Sequence, residues 1–349
     1  MSSETGGTDR QERQPVLIDF ALQGGGSHGA FTWGVLDRLL EEPWLKLEGV
    51  SGTSAGAMNA AVLVDGYTAG GAEGARKALD SYWRHVAEAA TFSPFKRTPL
   101  DRMLGRWSLD NSPMFLFSDM MTRMFSPYQL NPANNNALAP ILDEEIDFDR
   151  LRSSPIKIFI TATNVRTGRP RVFRNADMKP EVLMASACLP TLFQAVEIDG
   201  ESYWDGGYSG NPTLAPLVNE LVSDDTILIP INPIERPGTP TTPQEIFNRL
   251  NEVSFNAVTI KELHMMALLR QNAPDHGEGA EWARMRVHVV RNPVMTKLGY
   301  SSKLNAELDF LTMLRDEGRK SAEVFLTEHA DDIGRRSSLD IDQLIAEMT

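Results

Sequence analysis

Residues 16–64 read VLIDFALQGGGSHGAFTWGVLDRLLEEPWLKLEGVSGTSAGAMNAAVLV. Within them a strand pattern, a glycine-rich turn and a helix pattern follow one another twice. Val16 to Gln23 is a short, largely apolar run that stops at Gly24-Gly25-Gly26, the pattern of a strand covered on both faces. Ala30 to Leu40 then places Phe31, Val35, Leu36, Leu39 and Leu40 on one helical face. Leu47 to Ser51 repeats the strand, and Ala55 to Val64 repeats the helix with almost no polar side chain. Two such units in succession predict parallel strands buried under helices, an α/β fold.

Outward from this block, residues 66–150 change character. Gly66, Gly70, Gly71 and Gly74 open a stretch that becomes helical over Ala75 to Ala90. A segment rich in methionine and aromatic residues follows, with Met103, Trp107, Met114, Phe115, Phe117, Met120, Met121, Met124 and Phe125. It is expected either as the core of a helical insertion or as a lid or contact element, since methionine suits adaptable apolar surfaces. Strands return at Ile156 to Asn164, Arg171 to Arg174 and Ile227 to Asn232, with a small-residue helix at Val182 to Cys188. Beyond Pro237 the pattern is mainly helical. Thr242 and Glu245 form a capping box with Pro243 at the first helical position. A strand is predicted over Met285 to Val290, and Leu304, Leu308, Leu311 and Leu314 mark a further helix. The expected organisation is a tail at 1–14, a main α/β unit at 15–236 with a mainly helical insertion at 66–150, and a mainly helical extension at 237–349.

The 349 residues carry 34 basic and 47 acidic side chains, a net charge of −13, and 42% are hydrophobic. That hydrophobic content is enough for a packed core. The acidic balance argues against nucleic acid as a partner, because duplex affinity comes mainly from Lys and Arg. A single cysteine, Cys188, excludes an intrachain disulfide and a cysteine metal site. No apolar run approaches the length of a membrane span, and MSSETGGTDRQERQ lacks the apolar core of a signal peptide. A cytoplasmic location is expected.

Gly52-Thr53-Ser54-Ala55-Gly56 lies directly between a predicted strand and a predicted helix. Glycines two before and two after a serine allow a turn sharp enough to lift its Oγ above the sheet edge, with the helix N-terminus aimed at the site. Gly24-Gly25-Gly26-Ser27-His28-Gly29 occupies the equivalent turn after the preceding strand. Its exposed amides suit an anion, either a nucleotide phosphate or the oxyanion of acyl transfer. There is no Gly-Lys-Ser/Thr ending, so this is not a P-loop. Parallel connectivity places both turns at the same sheet edge.

A serine nucleophile needs a base. Of the six histidines (28, 85, 264, 276, 288 and 329), only His276, in Pro274-Asp275-His276-Gly277, sits on a late loop. It follows a long helix pattern rather than a core strand. Asp205, in Tyr203-Trp204-Asp205-Gly206-Gly207, leaves a strand beside two glycines and is the better base. Asp-Gly is also a common hairpin turn.

GGGSHG, then GTSAG, then DGG in that order resembles the patatin-like phospholipases. Ser186-Ala187-Cys188-Leu189-Pro190 and Asn211-Pro212 extend the similarity over Val16 to Asn232. The resemblance implies an α/β/α sandwich with a mostly parallel central sheet and a Ser-Asp dyad, with Ser54 as nucleophile and Asp205 as general base. Gly24, Gly25 and Gly26 are then the oxyanion-hole donors, within a motif completed by Ser27, His28 and Gly29. Gly52, Thr53, Ala55 and Gly56 form the nucleophile elbow, and Gly206 and Gly207 complete the aspartate motif. It further implies no metal, no cofactor and a lipid substrate met by transient contact with a membrane or lipid-droplet surface. His28 is a departure, since the family often carries Lys or Arg there. The competing expectation is a non-catalytic phosphate- or nucleotide-binding module built on the GGGSHG turn.

Overall fold

A computed structural model describes residues 13–272, 276–341 and 343. Most of the tail expected at 1–14, together with Pro274 and Asp275, lies outside the described residues. The chain opens as predicted, with β1 (Val16–Leu22), α1 (Gly29–Leu39), β2 (Leu45–Thr53) and α2 (Ala55–Ala89). α2 is broken at Gly70 and Gly71, whose dihedrals are not helical. Short helices α3 (Pro99–Met103), α4 (Pro113–Met124), α5 (Pro127–Leu130), α6 (Leu138–Glu145) and α7 (Phe148–Ser153) lead to β3 (Lys157–Asn164). Then come β4 (Pro170–Phe173), α8 (Pro180–Ser186), β5 (Val196–Ile198), β6 (Glu201–Asp205), α9 (Ala215–Glu220) and β7 (Asp225–Ile229). The C-terminal third holds α10 (Pro243–Asn272), α11 (Glu278–Arg284), β8 (Arg286–Val289) and α12 (Leu308–His329).

The sheet order is β5-β6-β3-β2-β1-β7-β8, with β4 also on β3. β1, β2, β3, β7 and β8 run parallel, whereas β4, β5 and β6 are antiparallel additions. The alternation of side chains along each strand divides the interior in two. Phe20, Leu22, Ile158, Ile160, Ile227 and Ile229 face a core shared with α1, α2 and α12. Ala21, Phe159 and Leu228 face a second core with Leu217 of α9, Met266 of α10 and Trp282 of α11. The result is the expected α/β/α sandwich, with a mostly parallel central sheet.

The C-terminal third packs into both the sheet and the core, and the strand predicted over Met285 to Val290 is β8. β8 pairs with β7 and widens the sheet. Phe310, Leu311 and Leu314 of α12 are fully buried in the core that α1 shares. Asp225 of β7 fastens the join, accepting from Arg286, His288 and the Gly334 amide. Those donors hold its pKa down at about 2 against the opposing effect of burial. α12 starts at Leu308; Leu304 belongs to a separate 3-10 turn, Tyr300–Leu304. In the methionine-rich segment the core expectation holds for Phe115, which is buried, but Met103, Met114, Phe117, Met120, Met124 and Phe125 are exposed. Among the described residues no helix is long and apolar enough to cross a membrane.

Candidate active site

β2 runs directly into Ser54, and α2 begins at Ala55. Ser54 has φ +54° and ψ −121°, a conformation that costs a non-glycine residue about 1–3 kcal/mol and persists only where its surroundings enforce it. Here they do. The two turns at the sheet edge touch: a Cβ at Gly24 would stand 2.5 Å from the Thr53 carbonyl oxygen, and one at Gly56 would stand 2.1 Å from that of Leu22. Polar groups fix the rest of the elbow. The Thr53 hydroxyl donates to the Gly210 carbonyl (2.7 Å). The Ser54 amide donates to Ser186 Oγ (2.9 Å), whose own proton goes to the Thr161 carbonyl (2.7 Å).

Asp205 arrives from the other direction. β2 pairs with β3 as far as Thr53 opposite Thr161, and β6 pairs with β3 from Asp205 opposite Ala162. β4 occupies the other edge of β3, so β2 and β6 share one edge and meet end to end. The end of one strand presents the serine and the end of the other presents the carboxylate. The Asp205 amide donates to the Cys188 carbonyl (2.8 Å), and its carbonyl accepts from Thr163 Oγ (2.8 Å). Its Oδ1 accepts from the Gly207 amide (2.7 Å). Oδ2 is buried without a formed hydrogen bond among the described residues; the Ser54 hydroxyl is near enough to favour the carboxylate's charge but does not close one. Burial pushes the Asp205 pKa up to about 6, against the Gly207 amide, the Ser54 hydroxyl and the Lys303 ammonium, which all pull it down.

Ser54 and Asp205 line one cavity of about 640 Å³, together with Gly25, Gly26, Ser27, Ala55 and Lys303. Met58, Trp83, Leu192, Phe193, Phe247 and Phe255 give it an apolar wall. Such a size and lining suit a small-molecule or acyl-chain ligand. The glycine motif divides its labour differently from the sequence expectation. The Gly24 amide, expected as an oxyanion donor, is occupied by Asn211 Oδ1 (2.7 Å), and its carbonyl accepts from Asn232 Nδ2 (2.8 Å). Gly24 is therefore an anchor for the loop, whereas Gly25, Gly26 and Ala55 line the cavity. Gly29 opens α1. His28 turns away from the cavity, its Nε2 at 2.8 Å from Ser302 Oγ. Burial, aided by the nearby Lys303 charge, holds the imidazole well below its ordinary pKa, so it is neutral.

The positive charge beside this loop comes instead from Lys303. Its Nζ donates to Asn232 Oδ1 (2.7 Å) and Asn251 Oδ1 (2.8 Å) and lies over the rings of Phe255 and Tyr300. Burial lowers its pKa to about 8. Sequence reasoning assigned no role to Lys303, Asn232 or Asn251. Asn232 follows the carboxyl end of β7, the edge where parallel sheets bind ligands, and that position was a usable signal. Among the described residues no histidine lines the cavity; His264 lies within α10, and exposed His276 follows it. Gly206 and Gly207 form the turn that follows Asp205. Among the described residues no group of three or more His, Cys, Asp or Glu side chains is placed to hold a metal ion.

A family model for the patatin-like phospholipases matches residues 20–218, more than half of the chain. The chain belongs to the patatin-like phospholipases. That membership makes it a lipid hydrolase in general terms. The patatin-like region ends at 218, so Asn251 and Lys303 enter the cavity from beyond it, and Asn232, the partner of Lys303 behind the cavity wall, also lies beyond it in sequence. Curated protein sequences give no match. Among solved structures, VipD from Legionella pneumophila aligns over 91% of this chain and 67% of its own, with 14% identity and a TM-score of 0.39. The heterodimeric ExoU–SpcU complex from the type III secretion system of Pseudomonas aeruginosa aligns over 95% and 74%, with 18% identity and a TM-score of 0.28.

Proposed function

We propose that the protein cleaves carboxylic esters of lipids by acyl transfer to Ser54, with Asp205 as its only base. The observation that carries this reading is the meeting of β2 and β6 on one edge of β3, which sets a strained serine against a buried carboxylate inside an apolar cavity. Asp205 takes the Ser54 proton as Oγ attacks the ester carbonyl. The charge that develops on the carbonyl oxygen is met by the amides of Gly25, Gly26 and Ala55, fixed donors that need no reorganisation. The tetrahedral intermediate collapses, the leaving alcohol takes the proton from Asp205, and the acyl group stays on Ser54. Water, deprotonated by the same carboxylate, then releases the fatty acid and restores Ser54. No step draws on a metal ion. Wild-type protein in excess EDTA is expected to release free fatty acid from phosphatidylcholine dispersed in detergent. Release that ceases on chelation and returns with calcium would overturn the metal-free scheme.

Lys303 has two effects within this scheme. Through Asn232 it steadies the Gly24 carbonyl, and its charge favours the ionised form of Asp205. The acid limb of kcat/KM is expected near pH 6, where Asp205 loses its proton, and a basic limb near pH 8, where Lys303 does. Lys303→Met is expected to lower kcat roughly ten- to a hundredfold, the scale set by small displacements of catalytic groups. It should also move the acid limb upward and abolish the basic one. Unmoved limbs would leave Lys303 a packing residue.

A further inference from the structure

α4 is amphipathic in the reverse of the usual sense. Phe115, Ser118, Asp119 and Thr122 line the cavity, and the opposite stripe of Phe117, Met120 and Met124 is exposed to solvent. A helix that serves only the fold turns its apolar stripe inward. The exposure continues in the segment before α4: Phe92 is 94% exposed and Met103 is 77% exposed. Apolar patches of this kind at the rim of a cavity mark a docking surface.

The charges indicate what docks. Over residues 91–130 the exposed charged side chains are Lys96, Arg102, Arg106 and Arg123, all basic, on a chain of net charge −13. The three carboxylates of the segment, Asp101, Asp110 and Asp119, are buried or half-buried. Arg102 and Arg123 each share an ion pair, with Glu307 and Asp119. A second copy of this chain is a poor occupant, because a two-fold interface sets a patch against itself and would bring these cations together.

We propose that residues 91–130 dock on a lipid bilayer bearing anionic headgroups, with the outer stripe of α4 lying in the headgroup–acyl boundary and the cavity beside it. This rests on the lipid-hydrolase reading above only for the purpose of docking; binding itself needs no chemistry. Apolar burial supplies contact with any bilayer, and the basic side chains add a salt-sensitive preference for negative lipid.

The test uses full-length Ser54→Ala protein, which leaves the lipid intact, sedimented with phosphatidylcholine vesicles with or without phosphatidylserine. Phosphatidylserine is expected to tighten binding at low salt, and added salt to weaken it. Lys96→Gln with Arg106→Gln should cost roughly fivefold in affinity per cation on the anionic vesicles and little on pure phosphatidylcholine. Phe117→Glu with Met120→Glu should abolish binding to both, with melting temperature unchanged and, in the Ser54 background, turnover of a water-soluble ester retained. Vesicle binding that survives the glutamates overturns the proposal. So does the absence of binding to anionic vesicles, or a dimer of the parent that the glutamates dissociate. Lipid hydrolysis in detergent without vesicle binding would sink the docking face alone. Vesicle binding without any ester hydrolysis would sink the catalytic reading alone.

Discussion

Ser54→Ala is expected to remove essentially all ester hydrolysis and all reaction with a fluorophosphonate. Wild-type protein should gain the mass of one phosphonyl group, and the Ala variant none. Loss of a serine nucleophile lowers kcat by up to about 10⁶-fold in well-studied hydrolases, and what survives comes from binding and the oxyanion donors. Structure should be unaffected. Ser54 Oγ supports no packed element, and the elbow is held by bonds that do not use the Ser54 side chain, with the Ser54 amide on Ser186 Oγ and the Thr53 hydroxyl on the Gly210 carbonyl. Alanine also relieves none of the φ +54° strain, because that belongs to any side chain bearing a Cβ. A second adduct that persists in Ser54→Ala would place the nucleophile elsewhere. A wild type that takes no label with or without lipid would revive the binding-module reading of the glycine turn.

The two turns that build this site were legible because they are local. GGGSHG and GTSAG each sit between a strand and a helix that their own periodicities announce, and the edge they share follows from parallel connectivity. Asp205 was legible only as a motif. Its placement depends on β6 running antiparallel along the part of β3 that β2 leaves uncovered, a long-range pairing without a local signature. Gly24 was misjudged as a donor because the residue that occupies its amide, Asn211, is remote in sequence. Lys303 left no trace: it sits in an aperiodic 3-10 turn, and a lysine is by default a solvated surface residue. The nearby Leu304 was absorbed into the following helix because its spacing to Leu308 is helical. The methionine-rich segment shows the limit of composition. It announced apolar surface but could not state the side on which α4 would present it.

Asp205→Asn should lower kcat roughly 10²–10⁴-fold, the scale of general-base assistance, while making the protein no less stable. The amide oxygen can still accept from the Gly207 N–H, so the turn should keep its hydrogen bond; what disappears is the capacity to take the Ser54 proton. Fluorophosphonate labelling should slow but still reach completion, which separates loss of the base from loss of the nucleophile. Near-wild-type turnover would sink the dyad. The stability prediction follows from the same burial. The folded-state pKa of about 6 lies above the ordinary aspartate value of 3.8, so the folded protein holds this proton more tightly than the unfolded chain does. The stabilisation from that proton is complete below about pH 4 and is lost as pH rises through 6, leaving a buried charge that opposes folding at neutral pH. A rise of about two units at about 1.4 kcal/mol each sets an upper bound near 3 kcal/mol. Asparagine carries no charge at any pH. The variant should therefore melt above wild type at pH 8, and the gap should close toward pH 4. A gap that widens as the pH falls would mean that the carboxylate is stabilised in the fold, and such a group could not be a base poised near neutrality.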